Sequence, residues 1–231
     1  MTHDQSVRPP AAEEFLRSIG ESLKKNQKFL YRHARGTYEE VVELINDAID
    51  WVRLVDKEKY AGRAMSFFLF HVFMPQAYAL HVDLLSGNLP ICFTELRLMV
   101  ELLAKSFYAD LTYSGDLSFQ EKFKKLEAVL KKQRRSITDV VRLADKCAGG
   151  GGEFVALWKQ LSNTWVHAGG LVNRVIHYVT NHADVPPWGL VLPMHYTESD
   201  LPELEELRQR IATFRKVAAI LTHSSPLSDY A

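Results

Sequence analysis

The sequence predicts an all-α protein, a single bundle of seven to nine helices. Three observations carry that expectation. Apolar residues recur with the 3.6-residue period of a helix through most of the 231 residues. Helix-start pairs of the Ser/Thr-x-x-Asp/Glu kind stand at several segment boundaries. No alternation of strands with helices is visible, and one stretch alone, near 184–197, reads as extended.

Taken in order, residues 1–10 form a polar, flexible N-terminus without an apolar signal segment. A first helix spans 11–33, entered after Pro9-Pro10, with Phe15, Ile19, Leu23 and Leu30 as a partial stripe. Gly36 and Thr37 punctuate the chain, and Thr37 with Glu40 reads as a capping box. The second helix then runs to about Leu54, with Val41, Leu44, Ile45, Ala48, Ile49 and Val52 on one face. A third covers about Tyr60 to Leu85, bent at Pro75, and Ser86-Gly87-Asn88 closes it. Pro90 suits the first turn of a fourth helix. Ser118 with Glu121 opens a fifth, and Ser136 with Asp139 opens a sixth that ends near Cys147.

The run Gly149–Gly152 lacks the Gly-Lys-Ser/Thr ending of a phosphate loop and is expected to be a flexible hinge. The seventh helix, 153–168, places Phe154, Leu157, Trp158, Leu161 and Trp165 on a core face. Gly169-Gly170 breaks it, and a short helix follows over 171–182. The last helix, 199–223, begins with Asp200, Glu203, Glu205 and Glu206, acids that suit the positive end of a helix dipole. The whole is expected to be one domain, with a core bundle over about 37–182.

Composition excludes some functions. Lys plus Arg equals Asp plus Glu, 28 against 28, so the chain is not a generally basic nucleic-acid binder. Two cysteines without regular spacing fit a reducing cytoplasm and offer no zinc site. The most apolar stretch, 67–85, is interrupted by His71, Pro75, Gln76, His81 and Asp83, which argues for a core helix rather than a membrane span. The histidines do not assemble a metal site: His71 and His81 lie about 15 Å apart along one helix, and His177 and His182 stand at a poor helical spacing. No cofactor is implied.

The fourth helix poses the sharpest question. At about 100° per residue, Thr94, Arg97, Glu101, Lys105, Tyr108 and Thr112 share one narrow sector of an otherwise apolar cylinder. A helix apolar on most sides belongs in the centre of a bundle. Its polar line, Arg97, Glu101, Lys105 and Tyr108, is then either a solvated edge of i,i+4 pairs or a seam lining a cleft. His167, at the end of the seventh helix, is either a C-terminal cap or a general acid/base beside Ser162 or Asn163. Between 122 and 135 stand Lys122, Lys124, Lys125, Lys131, Lys132, Arg134 and Arg135 against one acid, Glu127. That run is either a phosphate-contacting patch or a solvated face balanced by the acidic start of the last helix.

The Arg-x-x-x-Glu pair of Arg97 and Glu101, followed by a helix ending in LSNTWVH at 161–167, resembles the HEPN-like helical proteins of prokaryotes over about residues 60–180. The resemblance implies a helical bundle of a kind associated with toxin, phage-defence and RNA functions. Catalytic members carry Arg, four to six residues, then His. At that spacing before His167 stand Leu161 and Ser162, while Arg63 is too far from His71 and Arg174 too near His177. The expectation is therefore a non-catalytic binding module. The alternatives are an RNA-acting enzyme using His167 and Arg97, with Glu101 beside them, and a small-molecule-binding bundle. The apolar surface of the third and fourth helices exceeds what a few neighbours can cover, which points to a homodimer. An RNA or protein partner and a cytoplasmic location complete the expectation.

Overall fold

A computed structural model describes residues 11–113, 115–165, 176 and 195–224. Among them the chain is all-α, with no strand. The helices are α1 (Ala11–His33), α2 (Arg35–Arg53), α3 (Ala64–Phe68), α4 (Met74–Ser86), α5 (Leu89–Thr112), α6 (Phe119–Gln133), α7 (Ile137–Cys147), α8 (Glu153–Gln160) and α9 (Leu201–Ser224). The α3 and α4 segments form one rod, joined by a wide π turn at Leu69–Phe73. No helix among the described residues is long and apolar enough to cross a membrane.

The π turn has a local cause. Pro75 has no N–H to give to the previous turn, and its ring crowds the carbonyl four residues back. The backbone relaxes by widening, so that the Met74 N–H reaches the Leu69 carbonyl, five residues away. The expected bend at Pro75 is thus a change of pitch. At the other end, Gly87 takes the left-handed conformation at φ 77°, and the Asn88 N–H closes on the Asp83 carbonyl at 2.9 Å. Pro90 sits in the first turn of α5, where its missing donor costs nothing.

One contiguous core runs from Leu30 of α1 to Leu221 of α9. Helix α5 is at its centre and packs against α3, α4, α6, α7, α8 and α9. Phe68, Phe73, Trp51 and Phe214 stack in its interior, with Phe68 and Phe73 centroids 5.7 Å apart. Truncating either phenylalanine to Ala would cost about 3–5 kcal/mol.

Two expectations about the joints are corrected. Thr37 is not an N-cap, because α2 already starts at Arg35 after a break at Ala34. The Thr37 side chain is buried and its hydroxyl donates 3.0 Å to the Leu204 carbonyl of α9. The four glycines are not a loose hinge. Asp145, the buried acid of α7, reaches forward and accepts from the Gly152 N–H at 3.0 Å and the Phe154 N–H at 2.8 Å. It thereby caps α8 from the preceding helix, the task a Ser or Asp at the helix start would normally perform.

The capping boxes Ser118–Glu121 and Ser136–Asp139 form as the sequence predicts. A third, Thr197–Asp200, leads into α9. The stretch expected to be extended near 184–197 lies outside the described residues up to 194. Residues 195–197 are held by α1 and α4: the Tyr196 N–H donates to Asn26, and the Tyr196 hydroxyl donates to the Leu84 carbonyl at 2.7 Å. The helix expected over 171–182 and the break at Gly169-Gly170 lie outside the described residues, Ile176 apart.

Candidate functional site

The polar sector of α5 meets α8 and the turn that follows it. Arg97 donates through Nε to the Ser162 hydroxyl at 3.1 Å, and its guanidinium lies 4.5 Å from the centre of the Trp158 ring. Ser162 can reach it because the chain adopts a second π turn at Leu161–Trp165, which displaces the side chains relative to an ordinary helix. Arg97 Nη1 stands 3.9 Å from Glu101 Oε2. The tighter contact is on the other side, where Lys105 Nζ donates to Glu101 Oε1 at 2.8 Å. All three ions keep less than a third of their side-chain surface, at 28%, 21% and 22%.

The seam is therefore an internally paired chain: Ser162, Arg97, Glu101, Lys105. Tyr108 continues it only as a packing residue against Ala64, Ala109 and Leu126. Thr94 turns its hydroxyl back to the Pro90 carbonyl of its own helix. His167 lies outside the described residues, so the expected meeting of Arg97 with His167 is not described. Among the described residues, no cluster of His, Cys, Asp or Glu could hold a metal ion. His71 is exposed and bonded to the Tyr60 hydroxyl, far from a ligand role.

The lysine-rich run divides in two. Lys122 is removed from the patch: it is 2% exposed, and its ammonium donates 2.8 Å to Asp110, itself 6% exposed. The same carboxylate accepts from the Ala64 and Met65 N–H groups at 2.9 Å each, so it caps the first turn of α3. Lys122 shares the inward face of α6 with Phe119, Phe123 and Leu126, a register that the sequence shows once the helix is drawn. Lys124, Lys125, Lys131, Lys132, Arg134 and Arg135 are exposed, and none forms a salt bridge among the described residues. Of the acids at the start of α9, Glu205 and Glu206 form salt bridges with Arg208 and Arg210 of their own helix. Arg134 ends α6 in the left-handed conformation, φ 51°, where glycine is the usual residue.

Sequence reasoning missed one further group. Asp83 of α4 and Glu95 of α5 are neighbouring carboxyls that act on each other's charge, and one Glu95 oxygen is buried without a hydrogen-bond partner among the described residues. Burial and the Asp83 charge push Glu95 up to about 8, so it holds a proton at neutral pH. Burial raises Asp83 as well, partly offset by the Asn88 amide, which donates to it at 3.2 Å. The sulfur of Cys92 lies in the same region, and burial drives its thiol well above the usual range. The available signal was Glu95 standing next to the core face of an apolar helix.

No family model, no curated protein and no solved structure matches the chain.

Proposed function

We propose that the chain is a non-catalytic, HEPN-like interaction module that binds RNA through the exposed face of α6. The single observation behind this reading is the contrast between two sets of ions. The α5 seam is paired side chain to side chain, leaving Arg97 engaged by Ser162, Trp158 and Glu101. The six exposed cations of α6 and the turn after it form no salt bridge among the described residues. Exposed cations spaced along a helix and its end suit a phosphate backbone. The neighbouring aromatic side chains do not add a base-stacking platform, because Phe119 is stacked on Phe67 at 4.9 Å and edge-on to Tyr60. Binding is thus expected to depend on charge and little on sequence. Tyr78 and Val82 of α4 and Ile91 and Leu98 of α5 are exposed, and they support pairing of two copies through this hairpin.

The test is fluorescence anisotropy with a labelled single-stranded RNA at two salt concentrations. Lys124→Glu combined with Lys132→Glu should weaken binding by at least about tenfold and flatten the salt dependence. Unchanged affinity would sink the reading. The same samples run on a denaturing gel address the enzymatic alternative, since RNA cleavage lost in Arg97→Ala would replace a binding module with a nuclease. Sedimentation at micromolar concentration decides the dimer.

A further inference from the structure

The exposed cations of α6 are not scattered around the helix. At about 100° per residue, Lys124 and Lys131 stand one above the other, and Lys125 and Lys132 form a second row about 100° away. All four are exposed. Ala128, also exposed, lies on the crest between the rows, and its methyl group leaves that crest low. On a cylinder about 10–12 Å across, rows at that angle are about 8 Å apart at the surface, and the lysine stems spread them further. Two acids share this side of the helix. Glu121, at the N-terminal end of the crest, turns its carboxylate back onto the Ser118 N–H and hydroxyl, at 2.9 and 2.7 Å. Glu127 stands on the outer flank of the Lys124 row.

The rows are also fixed in place. Ser118 and Glu121 cap the start of α6, and the buried Lys122 ties its inner side to Asp110 of α5 at 2.8 Å. At the other end, the Arg135 N–H closes on the Leu130 carbonyl at 3.0 Å, which holds Arg134 and Arg135 on a tight turn just beyond the lysines. A rigid double row suits a partner whose phosphates are themselves held in two lines. A single strand offers one line, and it must be ordered to follow even that. Sequence-tolerant strand binders offset this cost by stacking bases on aromatic rings, and the outer face of α6 carries none. A duplex offers two backbones, and each phosphate contact on it releases more counterion than a contact on a single strand. The profile of α6 then favours one kind of groove. Its inner side is sunk against α3 and α5, so only the outer half of the cylinder stands clear. That profile suits the wide, shallow minor groove of A-form RNA better than the deep major groove of B-form DNA.

We infer that the double row on α6 is built for double-stranded RNA, with Lys124 and Lys131 on one backbone and Lys125 and Lys132 on the other, across the minor groove. This deepens the reading of α6 as an RNA-binding face and rests on it. The experiment follows anisotropy of three labelled probes with the full chain: an RNA strand of about 20 nucleotides, the same strand annealed to its complement, and the DNA duplex of the same sequence, each over a range of salt. The RNA duplex should bind at least about fivefold more tightly than the strand, with a steeper salt dependence, and more tightly than the DNA duplex. Lys124→Gln with Lys131→Gln empties one row, and Lys125→Gln with Lys132→Gln empties the other. Each pair should lower the slope of log affinity against log salt for the RNA duplex by about 2, the share of two phosphate contacts. The two pairs should weaken duplex binding by comparable factors. Glutamine is a good helix former and all four positions are exposed, so the fold should persist, which far-UV circular dichroism checks. Equal affinity for strand and duplex, or an effect confined to one row, would overturn the inference and leave the RNA reading of α6 standing. A DNA duplex bound more tightly than the RNA duplex would overturn it as well. No binding to either RNA would remove that reading and the inference together.

Discussion

The buried pair of Lys122 and Asp110 permits the most direct test of the fold's energetics. Asp110 receives three donors: the Lys122 ammonium at 2.8 Å and the Ala64 and Met65 N–H groups at 2.9 Å. Lys122→Met keeps the length and apolar stem of the side chain, so packing changes little. It leaves the carboxylate buried with only two neutral donors. Breaking a buried pair in this way costs about 3–5 kcal/mol. Asp110→Asn errs in the opposite direction, stranding an ammonium among Phe123, Leu126 and Leu130, and should cost a similar amount. The double variant leaves no charge behind and should cost much less than the sum of the two single losses. The coupling should exceed about 2 kcal/mol. Urea unfolding followed by circular dichroism measures all three, with the slope checked for constancy. Additive losses, or a loss under about 1 kcal/mol for Lys122→Met, would refute the pairing.

Other outcomes follow from the same geometry. Glu101→Ala should cost about 2 kcal/mol, because it leaves Arg97 and Lys105 facing each other, whereas Lys105→Ala leaves Glu101 its Arg97 contact and should cost about 1; thermal unfolding that reverses this order would count against the seam. Glu95 holds in the folded state a proton that the unfolded chain releases near 4.5, so its contribution favours folding at low pH and is lost as pH rises towards about 8. Glu95→Gln should match the wild type near pH 5 and exceed it by ~2 kcal/mol near pH 9, after discounting for partial exposure; parallel pH–stability curves would exclude the protonated pair. Arg134→Gly removes a left-handed arginine and should stabilise by ~0.5–1 kcal/mol while weakening RNA binding; a gain in both would remove Arg134 from the binding face. Gly150→Ala would bring a Cβ within 2.7 Å of the Asp145 carboxylate and should lower stability measurably, whereas Gly151→Ala, with open space around it, should not.

The helices were legible because their signals are local. Ser118 and Glu121, Ser136 and Asp139, Gly87 and Pro90 each act within a few residues of themselves, so the sequence displays the whole device. The polar sector of α5 was legible for the same reason, as a pattern on one helix. Its partners were not: Ser162 and Trp158 come from α8 and a turn whose widening no short-range pattern announces. Lys122, Thr37 and Asp145 were not legible in this way: Lys122 stood in a run that reads as a patch or a solvated face, Thr37 looked like a cap, and nothing local singled out Asp145. Each instead acts across the bundle, on Asp110, Leu204 and Phe154. Arg215 belongs with them: it joins α9 to α2 through Glu40 and Asp47 at 2.6 Å each, a link that spans most of the chain.

The wide turn before Pro75 also sets the phase of the rod that α3 and α4 compose. Met65 and Leu84 are both fully buried in the same core. In a helix of uniform pitch, the roughly nineteen steps between them amount to about five turns and a further 100°. That drift would carry Leu84 to the flank while Met65 pointed inward. Absorbing one residue in the turn at Leu69–Phe73 takes back about one step of rotation. The apolar line from Met65 through Phe68 and Val72 to Leu80 and Leu84 therefore stays on one side of a long rod without supercoiling. Deleting a single residue within 69–73 would restore the ordinary pitch. The roughly eighteen steps then left between Met65 and Leu84 amount to about five whole turns, so Leu80 and Leu84 would keep their place in the core, and the deletion should be tolerated far better than one in the regular turns of α4.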